Sequence, residues 1–222
     1  MLLKPVSTSL TIMKIINVTL AALLISAITC KAQTVTAIRL QSSSKAAVVV
    51  EVAAANVTIQ VRANQKINLN AYDGSDADYG TAADGEYVQG KVKAIGQTRV
   101  EYYTGTDGSE LAGKLKSVGG IIITYNRSYD GFDNVGKVKS IGQVRFAYMD
   151  RFDGSDNQGK LKAVGNIPIA YYDRFDPDEK RGKVKLIGNT AIDYYDRFDS
   201  KHVIGKVKSV SGTTPGVEVL VY

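Results

Sequence analysis

The stretch GKVKLIGNTAIDYYDRFD at residues 182–199 decides the fold, because close copies of it recur at a fixed distance. GKVKSIGQVRFAYMDRFD occupies residues 136–153, and GKLKAVGNIPIAYYDRFD occupies residues 159–176. The Gly-Lys pair that opens each copy returns every 23 residues, at Gly90, Gly113, Gly136, Gly159, Gly182 and Gly205. Five copies are complete and a sixth is partial. Self-similarity at a fixed period is typical of repeat architectures, so the sequence predicts an array of equal units.

Each unit has the pattern of a β-hairpin. Its second half alternates, with Val144, Phe146 and Tyr148 on one side, as expected of a strand with one buried face. A Gly-Asn, Gly-Gln or Gly-Gly pair separates the two halves, and glycine at the first central position is typical of a type II′ turn. The array shows no 3.6-residue periodicity, so the unit is predicted to contain strands and no helix.

The first strand of the unit leaves its register open. Its apolar positions, such as Val184 and Ile187, are three residues apart, which strict alternation does not allow. A β-bulge would bring both positions to the buried face. A regular strand would instead place Lys183 opposite Tyr194, with the lysine stem along the ring and the ammonium group in water.

These patterns predict an all-β protein: an elongated or curled antiparallel array of 23-residue β-hairpins with atypical capping strands at both ends. We divide the chain into a signal peptide (1–32), an N-terminal β cap with a degenerate first repeat (33–89), five complete repeats (90–204), and a partial sixth repeat with a C-terminal capping strand (205–222). Atypical terminal units are expected because they shield the last exposed edges of an array.

The first 32 residues have the pattern of an export signal. Lys14 precedes the apolar run VTLAALLISAIT at residues 18–29, and a polar sequence follows. We place cleavage after Ala32, with lipidation at Cys30 as the alternative. Either route takes the chain out of the cytoplasm, to the periplasm, the outer membrane or the extracellular space. Which side of the outer membrane it occupies, and its oligomeric state, stay open.

Charge and residue content argue against two classes of function. Removing residues 1–32 lowers the formal net charge from +6 to +3, because three lysines and no acidic residue lie there, which is too weak a charge to indicate nucleic-acid binding. His202 is the only histidine and Cys30 the only cysteine, so triads and thiolate nucleophiles have little support. We predict a protein that is not an enzyme and needs no cofactor.

Aspartates are concentrated in the polar segments between hairpins. Asp73, Asp76 and Asp78, with Asp84 further on, only superficially resemble a calcium loop, since Asp78 stands where an EF-hand needs glycine. Asp, Gly, Ser and Asn also form turns, with side chains that bind their own backbone. Solvated turns are therefore the favoured interpretation, weak calcium binding is the alternative, and no metal site is assigned.

The Tyr-Tyr-Asp-Arg blocks provide the candidate binding residues. The first tyrosine of each pair belongs to the apolar row, whereas the second points to the opposite face. An exposed row of Tyr, Arg and Asp suits a protein partner or a sugar chain. The favoured interpretation is that these residues form cross-strand ladders, in which Arg and Asp compensate each other between neighbouring units. The candidate partner-binding residues are Tyr103, Tyr172, Arg174, Tyr195 and Arg197.

The GKVKxIG…YYDRFD unit resembles that of uncharacterised secreted repeat proteins of Bacteroidota-type bacteria, and more distantly YD and MORN hairpin repeats, although this chain lacks the tryptophan usual in MORN units. The resemblance implies a non-catalytic exported scaffold or interaction protein of the cell envelope. One version is an accessory subunit of an outer-membrane, type IX-like secretion or transport complex. The alternative is a glycan-binding or adhesion module that uses the outward Tyr, Arg and Asp rows.

Overall fold

The computed structural model describes residues 35–41, 47–199 and 201–220 of the chain. The predicted signal peptide, its cleavage site after Ala32 and the alternative lipid site at Cys30 lie outside the described residues. The described residues belong to one compact unit, Gln33–Tyr222. In this part of the chain, no helix has the length and apolar character needed to cross a membrane.

The described residues form two sheets. Four strands come first in the chain: β1 (Val35–Gln41), β2 (Ala47–Ala54), β3 (Val57–Arg62) and β4 (Ile67–Ala71). Twelve strands follow: β5 (Ala77–Tyr79), β6 (Val92–Ile95), β7 (Thr98–Tyr102), β8 (Leu115–Val118), β9 (Ile121–Tyr125), β10 (Val138–Ile141), β11 (Val144–Tyr148), β12 (Leu161–Val164), β13 (Ile167–Tyr171), β14 (Val184–Ile187), β15 (Thr190–Tyr194) and β16 (Val207–Ser211). The last strand is β17 (Val217–Leu220). Short 3-10 turns are present at Ala82–Asp84, Gly105–Asp107, Ser128–Asp130, Phe132–Asn134 and Arg151–Asp153.

The predicted array is the larger sheet. Strands β5 to β16 lie side by side in chain order as one 12-stranded antiparallel sheet. Each repeat therefore contributes one hairpin, and the connecting segment leads directly to the next hairpin. The prediction of an all-β array of antiparallel hairpins is confirmed.

The two strands of each hairpin are joined by the predicted two-residue turn. Ile187 pairs with Thr190, so only Gly188 and Asn189 lie between the strands. The first turn glycines of the five hairpins have φ between 55° and 58°, a left-handed value that side-chain-bearing residues rarely adopt. The second turn residue has no positive φ in four of the five hairpins, Asn189 among them; the exception is Gly120, whose φ is 80°. A positive φ at the first central residue alone is the signature of a type II′ turn, which explains the glycine.

A β-bulge in the first strand settles the register. Leu161 and Lys162 of β12 together oppose the single residue Tyr148 of β11. The extra residue brings Leu161 and Val164, three positions apart, to the buried side, where they are 4% and 0% exposed. The same shift recurs at Lys93, Lys116, Lys139, Lys185 and Lys208. Of the two registers that the sequence left open, the structure has the bulge.

The first lysine of each unit joins neighbouring units. The Nζ atom of Lys160 lies 5.0 Å from the centroid of the Tyr171 ring and donates to the carbonyl of Gly182, the first residue of the next unit, at 2.8 Å. Equivalent contacts are made by Lys91, Lys114, Lys137 and Lys183. The lysine therefore lies over the tyrosine ring, a contact that the sequence analysis expected only of a regular strand. The structure has this contact together with the bulge.

The smaller sheet unites the two ends of the described chain. Its strand order is β17-β1-β2-β3-β4, and β17 runs parallel to β1, with Ile38 opposite Val217. The segments interpreted from the sequence as separate caps at opposite ends therefore contribute to a single sheet.

This five-stranded sheet covers the apolar row of the array. One buried cluster contains residues of both sheets, including Ile38 and Ile59 from the smaller and Ile141 and Ile187 from the larger, all 0% exposed. Gln65, in the turn after β3, accepts a hydrogen bond from the Tyr148 hydroxyl at 3.0 Å. The hairpins therefore bury their apolar residues against a second sheet as well as against each other.

Candidate interaction surface

The segments that connect one hairpin to the next all lie at one rim of the 12-stranded sheet. This follows from the chain-order antiparallel arrangement, which places the two-residue turns at the opposite rim. Consecutive units are two strands apart, so equivalent residues of these connecting loops recur about every 10 Å. Any side chain that repeats in the loops therefore forms a regular row.

Hydrogen bonds hold each loop in a fixed turn. In the fourth loop the backbone N–H of Phe152 donates to the Asp150 carboxylate at 2.8 Å, and the backbone N–H of Asp150 donates to the Asp153 carboxylate at 3.0 Å. The ammonium group of Lys162, the bulge lysine, lies 2.6 Å from Asp153. The hydrogen bond from Lys162 holds the pKa of Asp153 below its usual value.

The same carboxylate arrangement is present in all six loops. In each loop a carboxylate accepts the backbone N–H three residues earlier and pairs with the bulge lysine nine residues later. These carboxylates are Asp84, Asp107, Asp130, Asp153, Asp176 and Asp199. The described residues contain no group of three or more His, Cys, Asp or Glu arranged to hold a metal ion. The aspartates thus have structural partners within the chain.

Arginines link the third, fourth and sixth loops each to the loop before it. Arg151 lies 3.0 Å from Asp133 of the preceding loop, and Arg197 lies 3.3 Å from Glu179 in the same way. The hydrogen bond from Arg151 lowers the pKa of Asp133. Arg174 is exposed and its guanidinium group lies 5.1 Å from the centroid of the Phe175 ring. Loop-to-loop ion pairs therefore fix the spacing of the row.

Aromatic side chains at the tips of these loops are left in solvent. Tyr129, Phe152, Phe175 and Phe198 occupy the same position in four consecutive loops and are 77%, 89%, 84% and 88% exposed. Phe132, in the third loop, is 80% exposed. We call these five residues the aromatic rim. Several exposed aromatic side chains on one rim are typical of an interaction site, because aromatic residues are enriched at protein interfaces.

The first two loops show that the turn does not need an aromatic residue. Ala83 and Thr106 stand at the equivalent position, two repeats and one repeat before Tyr129. Their loops form the same 3-10 turn as the third and fourth loops, with Asp84 and Asp107 in the same hydrogen bonds. Local folding therefore does not account for the aromatic residues in the four later loops.

The predicted tyrosine row is largely covered. Tyr103 is 9% exposed and Tyr172 is 8% exposed, so the expectation that they face solvent is wrong. The Tyr172 hydroxyl donates to the carbonyl of Ile192 in the next unit at 3.0 Å, and Lys185 lies 4.9 Å from its ring centroid. Burial raises the pKa of Tyr172 to about 12. Contacts with the following unit, which a single repeat does not reveal, cover the ring.

The other predicted residues remain accessible. Tyr195 is half-buried beneath Lys208, whose Nζ atom lies 5.6 Å from its ring centroid. Arg174 and Arg197 are exposed at the loops, each next to a phenylalanine of the aromatic rim. The structure therefore keeps the two predicted arginines at the candidate surface and removes Tyr103 and Tyr172 from it.

A cleft opens between the third and fourth loops. It has a volume of about 380 Å³, and Phe132 and Phe152 of the aromatic rim line it together with Tyr148 and Arg151. The Arg151–Asp133 ion pair lies in its wall. The cleft therefore combines exposed rings with fixed charges, which suits the side chain of a protein ligand.

The phenylalanines of the aromatic rim are not among the residues predicted from the sequence. The signal was nevertheless present: a large apolar residue recurs between an arginine and an aspartate, at Phe152, Phe175 and Phe198, inside a polar loop. No strand alternation can bring such a position to the core.

Comparison with known proteins adds no relative. No protein-family model, curated protein or solved structure matches this chain. The aromatic rim is therefore the basis for a functional proposal.

Proposed function

We propose that this protein is a non-catalytic scaffold of the cell envelope that holds a protein partner along the aromatic rim. The observation that supports the proposal is the 77–89% exposure of five aromatic side chains on loops whose polar groups are already hydrogen bonded. The first two loops, which carry Ala83 and Thr106, show that the rings are surplus to folding.

The energetics favour binding by this surface. Burying one such ring in an interface contributes about 1.5–3 kcal/mol, and aromatic residues are enriched among interface hot spots. The loops are held by the Asp153–Lys162 pair and its equivalents, so little conformational entropy is lost when a partner orders the rings.

The cellular setting rests on the sequence. The export signal at residues 1–32 supports the envelope, and the resemblance to secreted Bacteroidota-type repeat proteins supports an accessory role in an outer-membrane complex of the type IX-like kind. The repeated carboxylates support a non-catalytic role, because a catalytic pair normally occurs once in a chain, whereas these recur with the scaffold.

A glycan is the second candidate partner. Its support is the equal spacing of Tyr129, Phe152, Phe175 and Phe198, since a row with a fixed repeat matches a polymer with a fixed repeat. The surface for it would be the aromatic rim with Arg174 and Arg197, since Tyr103 and Tyr172 are buried.

The test is capture by the purified protein from an envelope extract, compared with a variant carrying Phe152→Thr, Phe175→Thr and Phe198→Thr. Threonine is the residue that the second loop already has at this position, so the loops keep their fold. Ile122→Thr, which removes a side chain 58% exposed on β9, is the control. We expect one stoichiometric protein partner that the triple variant loses and the control keeps.

Two other outcomes are informative. Binding to an isolated envelope polysaccharide that disappears in the triple variant would support the glycan candidate. Unchanged capture of every partner by the triple variant would contradict the proposal that the aromatic rim is the binding surface.

A further inference from the structure

The 12-stranded sheet ends in half a unit on each side. β5 stands where a second strand would be, since Asp78 pairs with Ala94 just as Glu101 pairs with Ser117 one unit later. β16 stands where a first strand would be and has its β-bulge at Lys208. Across the described ranges, no strand pairs with the outer edge of β5 or of β16. The two edges are therefore the complementary halves of one hairpin.

We propose that β16 of one copy pairs with β5 of a second copy, head to tail, in the register of the internal hairpins. Inside the array, Ala94 of a first strand pairs with Arg99 of a second strand. Ser209 on β16 is the equivalent of Ala94 in a later repeat. Asp76, which precedes β5, is the equivalent of Arg99 in the preceding repeat. The proposed pairing of β16 with β5, called the joint below, therefore places Ser209 of one copy opposite Asp76 of the next.

A tyrosine and a lysine are left without their usual partners at the two edges. In the first internal hairpin the Tyr102 hydroxyl donates to the Val92 carbonyl at 2.8 Å, and Lys91 lies 4.9 Å from the centroid of the Tyr102 ring. The equivalent of Tyr102 at the β5 edge is Tyr79, which is 57% exposed. The equivalent of Lys91 at the β16 edge is Lys206, which is also exposed.

Head-to-tail pairing would supply both missing contacts. The Tyr79 hydroxyl of one copy would donate to the Val207 carbonyl of the other, and Lys206 would cover the Tyr79 ring. Five internal hairpins already contain a lysine on a tyrosine in this geometry. The joint therefore needs no contact that the fold does not already make.

Charge selects this pairing over the symmetric ones. The β5 edge carries Asp76 and the β16 edge carries Lys206, while Asp78 and Lys208 beside them already pair with Lys93 and Asp199 within the chain. Two β5 edges would bring carboxylates together and two β16 edges would bring ammonium groups together, whereas the mixed joint brings opposite charges together. Because the joint is heterologous, each added copy leaves one β5 and one β16 edge free, so the assembly extends or closes into a ring.

The test uses two single-cysteine variants of the full chain, Asp76→Cys and Ser209→Cys, both with Cys30→Ser. Residues directly opposite across an antiparallel pair are close enough for a disulfide after small adjustments. Under mild oxidation, we expect disulfide-linked dimers when the two variants are mixed and only monomers when either is alone. Ser155→Cys, in a loop far from both edges in sequence, replaces Ser209→Cys as the control and should give no dimer with Asp76→Cys.

Tyr79→Ala and Lys206→Glu then test the register without cysteines. Both side chains are exposed, so each variant should still fold. We expect each change to raise the dissociation constant of self-association, measured by sedimentation equilibrium, about tenfold or more. Dimers formed by either cysteine variant alone, or a wild-type protein that stays monomeric at every concentration, would overturn the proposal. None of these residues belongs to the aromatic rim, so such a failure leaves the proposed function separately testable.

Discussion

At the residue scale, most recurrent polar side chains have a partner inside the chain. Lys160 bonds to Gly182, and Lys162 bonds to Asp153. The sequence predicted the turn glycines, because their conformational requirement is local. It did not predict the burial of Tyr172, because the carbonyl of Ile192 and the ammonium group of Lys185 that contact it come from the next unit.

The lysine that joins two units should matter more than the lysine on the bulge. Lys160→Met keeps the apolar stem and leaves the Gly182 carbonyl without its donor, so we expect a loss of about 1–3 kcal/mol in the free energy of unfolding. Lys162→Met removes an exposed ion pair with Asp153 and should change stability little. Urea denaturation of both variants measures the difference, and equal effects would contradict the assigned role of Lys160.

Acid should weaken the loops. Hydrogen bonds from lysine hold the pKa of Asp130, Asp153 and Asp199 below the unfolded value of about 3.9. A carboxyl with a lowered folded pKa contributes stability above its unfolded pKa, and that contribution is lost as the pH falls through the folded pKa. The stability difference between wild type and Asp153→Asn should therefore be constant from pH 7 to about pH 5 and shrink below about pH 4.

The control for this pH effect is the Lys162→Met background. Without the lysine, Asp153→Asn should cost less at pH 7, because the donor that lowers the pKa is gone. A difference that grows on acidification, or that does not depend on Lys162, would be inconsistent with this ion pair.

At the element scale, the hairpin combines a type II′ turn with a bulge. The sequence predicted the turn and the second strand, because glycine and strict alternation are local signals. It left the first strand open, since a three-residue spacing fits a bulge at Lys185 but does not require one. Strand pairing, which joins Val184 to Tyr171 of the preceding hairpin, selects the bulge.

The turn glycine should resist substitution even where there is space. A Cβ atom on Gly165 would meet nothing within 4 Å, but its φ is 56°. Gly165→Ala should therefore destabilise the protein by about 1–2 kcal/mol through backbone strain alone. Asn166→Ala, the adjacent position without a positive φ, is the matched control. Thermal denaturation measures the loss of stability in both variants. An equal or larger loss for Asn166→Ala would show that the turn is not of type II′.

At the scale of the whole molecule, two sheets share one buried cluster. The sequence predicted the array from its period, but it did not predict that the ends of the chain form a sheet that covers it. The pairing of Ile38 with Val217 joins distant parts of the chain, and no local pattern encodes such a contact.

A shared core predicts cooperative unfolding. Repeat arrays without such a cover open locally, because each unit contacts only its neighbours. Here the amides of Ile59 in β3 and Ile187 in β14 should exchange with about the same free energy, that of global unfolding. Native-state hydrogen exchange measures this, and exchange at Ile187 several kcal/mol easier than at Ile59 would mean that the array opens without the smaller sheet.

The aromatic rim is tested most sharply by the free energy of unfolding of the variant in which Phe152, Phe175 and Phe198 are all threonine. We propose that these rings do nothing for the fold and are held outward for a partner. Exposed substitutions usually change stability by less than about 0.5 kcal/mol each, so urea denaturation should give a curve close to that of the wild type. A loss of several kcal/mol would show that the rings are buried within the protein itself and would contradict the aromatic rim as a binding surface.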